Sequence, residues 1–138
     1  MKNILILCTG NSCRSQIAHG YFKLFSNNRA NIFSAGIETH GLNKNAIETM
    51  KRDGVDISNH TSNLVSEYLD IKFDYIITVC DHANENCPYI PSKNAARIHK
   101  NFTDPSKIVN SIDSNKDFDL CRNEIKKFTQ NFYNKNFG

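Results

Sequence analysis

Residues Ile4 to Leu7 form an unbroken apolar run that gives way at Cys8 to the polar segment Thr9-Gly10-Asn11-Ser12-Cys13-Arg14-Ser15. Large aliphatic side chains without polar alternation fit a strand covered on both faces, the situation of an inner strand in a parallel sheet. The polar loop then begins at that strand's carboxyl end. From Ser15 to Phe25, apolar residues at 17, 18, 21, 22, 24 and 25 follow the three-to-four spacing of an amphipathic helix. The opening unit is therefore strand, loop, helix.

Cys8 and Arg14 are separated by five residues, and a backbone wrapped that tightly can turn its amides inward into an electropositive nest. Thr9, Gly10, Asn11, Ser12, Cys13, Arg14 and Ser15 are the candidate oxyanion-binding residues. The helix that follows aims its amino terminus at the same spot, and Arg14 adds a bidentate clamp. This field favours an ionised thiol, so Cys8 is expected to titrate well below the usual value of about 8.5 and to act as a nucleophile. Ser15 is placed to hydrogen-bond that thiolate, and Gly10 and Asn11 tolerate the left-handed backbone a loop of this kind requires. A buried cysteine beside an ordinary turn is the plainer alternative, but it leaves the register of strand, cysteine, arginine and helix without a purpose.

Ala30 to Gly36 reads as a second strand. Leu42 to Asp53 reads as a helix stopped by Gly54, and a short helix is expected from about Asn63 to Tyr68. Phe73 to Val79 is the strongest strand signal after the first, Ala95 to His99 is a fourth, Asp104-Pro105 opens a turn, and Phe118 to Phe132 has the pattern of a final amphipathic helix. Strands alternate with helices over all 138 residues. The expected fold is a single α/β domain, 1–138, with a four-stranded parallel sheet of order 2-1-3-4 and helices on both faces.

Composition excludes several classes. A net charge of +3 without a basic stripe or aromatic platform gives no reason to expect nucleic-acid binding. The apolar run after Lys2 is too short for the about 7 to 15 residues of a signal-peptide core, and no stretch is long enough to span a membrane. The chain is expected to be cytoplasmic. Five cysteines, an odd number in a reducing compartment, argue for catalytic or redox use over a static disulfide framework.

Cys80 ends the third strand as Cys8 ends the first. If those strands are neighbours, about 4.8 Å apart, a Cys8–Cys80 disulfide is sterically reasonable, because bonded cysteines have α-carbons about 4.4 to 6.8 Å apart. Cys87 follows in Cys80-Asp81-His82-Ala83-Asn84-Glu85-Asn86-Cys87-Pro88. A helix there would hold the two backbones about 10 Å apart, but the segment is asparagine-rich with poor helix propensity, so it is expected to loop over and pair Cys80 with Cys87. Cys80, His82 and Cys87 as zinc ligands lack the usual spacing and a fourth partner. Cys121, on the apolar face of the last helix, fits a packing role, and so does Cys13 behind the loop. His19, His40, His60 and His99 appear isolated in the sequence and suit solvated or structural roles.

Cys8-x5-Arg14-Ser15, the Cys80 and Cys87 pair, and Asp104-Pro105, together with Ser34-Ala35-Gly36 and His40-Gly41-Leu42-Asn43, resemble the thioredoxin-coupled arsenate reductases, relatives of the low-molecular-weight tyrosine phosphatases. The resemblance spans nearly the whole chain. It implies a phosphatase-like fold in which Cys8 attacks arsenate held by the loop and Arg14, while Asp104 is the general acid. It further implies that Cys80 attacks Cys8 to release arsenite through a transient Cys8–Cys80 disulfide, and that Cys87 then attacks Cys80. The resemblance also implies that thioredoxin reduces the resulting Cys80–Cys87 disulfide. No bound cofactor is implied, phosphate and sulfate are expected as loop-bound anions, and a monomer is expected. Members that hold a monovalent cation use an asparagine, two carboxylates and a serine; here Asn11 and Ser34 match but His19 and Asn63 replace the carboxylates, so no metal is expected. The alternative is a tyrosine phosphatase using Cys8, Arg14 and Asp104. Against it, Ser106-Lys107 follow where phosphatases typically carry aromatic residues. An oxyanion-binding module without turnover leaves Asp104 without a role.

Overall fold

A computed structural model describes residues 1–86, 90–108 and 110–138, so Cys87 and any pairing it makes lie outside the described residues. In chain order the elements are β1 (Lys2–Cys8), α1 (Arg14–Ser26), β2 (Ala30–Gly36), α2 (Lys44–Arg52), β3 (Tyr75–Thr78), α3 (Asp81–Asn86), β4 (Ala96–His99) and α4 (Ser114–Asn136). Short 3-10 turns occupy Val65–Tyr68 and Pro105–Lys107. The four strands are parallel and ordered β2-β1-β3-β4, the expected arrangement.

The apolar run explains why β1 is an inner strand. Ile4 and Ile6 point into one core with Ile17, Tyr21 and Phe22 of α1 and Phe118, Ile125 and Phe132 of α4. Leu5 and Leu7 point the other way, into a core with Ala35, Val65, Phe73, Ile76 and Ile90. All four are at most 2 % exposed, and each such burial contributes at most about 1.5–3 kcal/mol. α1 and α4 cover the first face, with α2 packed beside them. The turn at Val65–Tyr68 and the segment around Ile90 cover the second.

Several boundaries differ from the sequence expectation, for identifiable reasons. β3 begins at Tyr75 instead of Phe73, whose amide is taken by the Ser92 hydroxyl at 3.0 Å. α4 begins at Ser114 because Asp113 caps it, accepting from the Lys116 amide at 3.2 Å; its polar first turn carries no apolar signal. Asp104 caps the Pro105–Lys107 turn in the same way through Ser106. The larger correction concerns Asp81–Asn86, expected to be a loop and found to be α3. Cys80 starts that helix: its carbonyl accepts from the Asn84 amide at 3.2 Å and its sulfur from the Ala83 amide at 3.4 Å. Asp81 in the first turn complements the helix dipole. Local capping thus overrides weak intrinsic propensity.

Gly36 fixes how closely the loop after β1 can approach β2. It pairs with Cys8 in the ladder, and a β-carbon on it would lie 2.3 Å from the Glu38 carbonyl oxygen, 2.7 Å from that of Thr9 and 2.8 Å from the Asn11 amide nitrogen. Only a residue without a side chain fits there.

Candidate active site

The loop between β1 and α1 is held from outside by its carbonyls. Thr9 O accepts from the Glu38 amide at 2.9 Å, Gly10 O from the His40 amide at 3.0 Å and Ser12 O from the Asn43 amide at 3.0 Å. Asn11 O accepts from Gln16 Nε2 at 3.0 Å, and Gly10 O also accepts from the Ser62 hydroxyl at 3.0 Å. Asn11 itself is left-handed, with φ of 47°; Gly10 is not. With the carbonyls turned outward and engaged, the amides of Gly10 to Arg14 have no hydrogen-bond partner among the described residues. They are free for an oxyanion, with the amino terminus of α1 behind them. The result is a cleft of about 470 Å³ with Cys8, Thr9, Gly10, Ser12, Cys13 and Arg14 along its floor and Asp104, His40 and His82 among its walls.

Two expected loop residues work from behind. Asn11 and Ser15 are fully buried and bonded to each other, Nδ2 to Oγ at 2.9 Å. Asn11 Oδ1 also accepts from the Asn63 amide at 2.8 Å. The Ser15 hydroxyl is thus engaged with Asn11 and makes no hydrogen bond to the Cys8 sulfur, contrary to expectation. Cys13 and Cys121 are buried in the core, the packing role expected of them. Burial pushes both thiols up, that of Cys121 to about 12.

Arg14 and Asp104 come together. Arg14 Nη1 donates to the Phe102 carbonyl at 2.8 Å, and Nη2 lies 3.6 Å from Asp104 Oδ2. Asp104 Oδ1 accepts from the Ser106 amide and hydroxyl at 2.9 and 2.6 Å. The carboxylate is thereby oriented with one oxygen toward the cleft.

Cys8 and Cys80 also meet. The bond from the Val79 amide to the Leu7 carbonyl, at 3.0 Å, extends the β1–β3 ladder and sets Cys80 one residue beyond it. Both cysteines are at most 4 % exposed. The neighbouring Cys8 side chain is the main cause holding the Cys80 thiol down at about 5, helped by Thr9, the Ala83 amide and Arg14 against burial. The closeness of Cys80, together with burial, pushes the Cys8 thiol up despite Arg14. The pair carries one negative charge readily and a second one only with difficulty. That charge belongs to the pair and not to either sulfur alone, and Arg14 lowers both thiols.

Three features were not legible in the sequence. Thr9 Oγ1 lies 3.3 Å from Cys80 Sγ and 3.1 Å from His82 Nδ1. His19 and His60, forty-one positions apart in the chain, stack with ring centroids 4.5 Å apart, and His19 Nδ1 is 2.7 Å from Ser34 Oγ. His40 and His99 pair with Glu38 and Asp81, each at 2.6 Å. None of these four histidines is isolated. A polar residue on the apolar side of a helix was the available signal for Gln16, which is fully buried and ties the loop to the Thr61 carbonyl at 2.9 Å. Among the described residues no three His, Cys, Asp or Glu side chains gather into a metal site.

The pattern of the low molecular weight phosphotyrosine protein phosphatase family matches residues 3–135. The chain belongs to this family. Within it, the chain is 45 % identical over 131 residues to arsenate reductase 1 of Staphylococcus epidermidis, covering 95 % of each protein. It is 44 % identical to the arsenate reductase of Staphylococcus aureus strain Newman, again covering 95 % of each. Among solved structures it is similar to an arsenate reductase in the phosphate-binding state, with a TM-score of 0.80, 27 % identity and 98 % of both chains covered. A single family domain thus accounts for nearly the full length, and its phosphatase-like fold agrees with the sheet order described above.

Proposed function

We propose that this member of the family reduces arsenate to arsenite with a relay of three cysteines. The observation that carries the reading is the second thiol beside the nucleophile: Cys8 ends β1, and Cys80 stands just past the end of the neighbouring parallel strand β3, both buried at the oxyanion loop. Phosphoryl transfer needs one cysteine. Taking arsenic from the pentavalent to the trivalent state needs two electrons, which a dithiol supplies on becoming a disulfide. The similarity to arsenate reductases supports the same choice.

In this reading the free amides of the loop and Arg14 hold arsenate, and Cys8 passes its proton to Cys80 and attacks arsenic. Asp104, poised 3.6 Å from Arg14, protonates the departing oxygen. Cys80 then attacks the Cys8 sulfur; the sulfur–arsenic bond breaks, its electron pair goes to arsenic, and arsenite leaves. Cys87 attacks Cys80, freeing Cys8, and thioredoxin reduces the Cys80–Cys87 disulfide. Because α3 occupies residues 81–86, and seven helical steps from position 80 to position 87 would span about 10 Å, this last exchange requires α3 to unwind. The reading further includes a monomer without bound cofactor, acting in arsenic detoxification in the reducing cytoplasm that three working thiols require.

Arsenate-dependent NADPH consumption with a thioredoxin recycling system tests the relay. Multiple turnover is expected for the native chain and is expected to be lost in Cys8→Ser, Cys80→Ser and Cys87→Ser. Full activity in either of the last two contradicts the relay. Brisk hydrolysis of an aryl phosphate by all but Cys8→Ser, without arsenate reduction, identifies a phosphatase instead.

A further inference from the structure

We propose that His82 accepts the proton of the Cys80 thiol through the hydroxyl of Thr9. This rests on the reductase reading, in which Cys80 is the second nucleophile, and adds to it a proton acceptor. Thr9 Oγ1 stands between Cys80 Sγ at 3.3 Å and His82 Nδ1 at 3.1 Å, and a hydroxyl can donate to one neighbour while accepting from the other. Among the described residues Thr9 Oγ1 has no other side-chain partner. His82 lies in the first turn of α3 and is exposed at the cleft, so a positive charge formed on it stays solvated.

The relay is needed at one moment of the cycle. In the resting site the two thiols share one negative charge between them. A Cys8 sulfur bonded to arsenic holds no proton and donates none, so a proton left on Cys80 must go elsewhere before Cys80 attacks. Thr9 and the Ala83 amide are the groups hydrogen-bonded to the Cys80 sulfur, and of these only Thr9 leads to a base. Before transfer, the Cys80 S–H donates to Thr9 Oγ1 and the Thr9 O–H donates to His82 Nδ1. The sulfur's proton passes to Oγ1 as the hydroxyl proton passes to Nδ1. Afterwards Nδ1–H donates to Oγ1 and the O–H donates to the thiolate. One proton moves outward, no electrons change hands, and the three heavy atoms stay in place.

The other charged groups near His82 are committed elsewhere or lie off this line. On α3, Asp81 pairs with His99 and Glu85 lies one turn away. Around the cleft, Glu38 pairs with His40, Asp104 is held by Ser106 and faces Arg14, and Lys107 lies beyond them.

The test is the pH profile of Cys80 alkylation by iodoacetamide, located by peptide mass spectrometry. It uses the full chain carrying Cys8→Ala, which reproduces the lost donor, and Cys87→Ser. His82→Asn keeps an acceptor near the position of Nδ1 but takes no proton. It is expected to move the profile to higher pH and to slow labelling about tenfold at about pH 6.5, the equivalent of one pH unit. Thr9→Val is expected to do the same, and the two together no more than either alone. His82→Gln supplies the same reading if His82→Asn unfolds early in a thermal melt. Superimposable profiles with and without the histidine substitution overturn the proposal, as does a fully additive double variant. No arsenate is present, so failure of the native chain to reduce arsenate contradicts the reductase reading without moving this result.

Discussion

Arg14 and Asp104 face each other across the cleft at 3.6 Å, with side chains only 13 % and 19 % exposed, while the Phe102 carbonyl fixes the plane of the guanidinium. The segment that carries the candidate acid therefore also positions the anion clamp. A lysine has neither the fork nor the planar edge to serve both partners. Arg14→Lys is expected to weaken phosphate binding by about tenfold or more, measured by titration calorimetry. Unchanged affinity removes Arg14 from the anion site.

Gly36 and Gly10 both approach other groups closely, but their substitutions should differ. At Gly36 an added methyl meets backbone atoms at 2.3 to 2.8 Å, which move only if the loop moves. At Gly10 it meets the His40 ring at 2.4 Å, and that exposed side chain can swing away. Gly36→Ala is expected to cost about 1–3 kcal/mol in urea unfolding and to impair phosphate binding, Gly10→Ala considerably less. Equal costs would contradict the distinction.

His19 adds acid sensitivity to the fold. Burial, then the neighbouring His60 and Lys23, push its imidazole down to about 3. The unfolded chain takes up the proton at about 6.5, so stability is complete above that value and drains away as the pH falls toward 3. Between pH 7 and pH 5 the native chain should lose about 2 kcal/mol through this residue, and His60, shifted in the same direction, adds to the trend. His19→Asn, which keeps a partner for Ser34, should flatten the loss. An equally steep dependence in that variant would assign the acid sensitivity to another group.

Unwinding of α3 is testable without turnover. Amide exchange over residues 83–86 should be faster in the Cys80–Cys87 disulfide form than in the dithiol form, because the bond that anchors the helix, from the Asn84 amide to the Cys80 carbonyl, must be released. Equal protection in both forms rules out the rearrangement.

Much of this was legible along the chain. The Ile4–Leu7 run places β1 inside the sheet because a strand covered on both faces has no polar alternation. Gly54, with φ of +76°, ends α2 where a helix stop was expected. What was misread had local competition behind it: asparagines argued against α3, yet Cys80 caps it with both its carbonyl and its sulfur. The loop alone pointed to Ser15 as a partner of the Cys8 sulfur, before Asn11 was seen to engage it.

The order of residues determined the alternation of strands and helices, the short Cys8-to-Arg14 wrap and the presence of a second cysteine at a strand end, since each depends on neighbours a few positions apart. The tertiary structure alone decided which two sulfurs stand side by side, which base Thr9 reaches and how Gln16, His19 and His60 brace the loop. Those outcomes depend on contacts between residues forty to seventy positions apart, and on the desolvation and hydrogen bonding that arise only when the sheet brings them together.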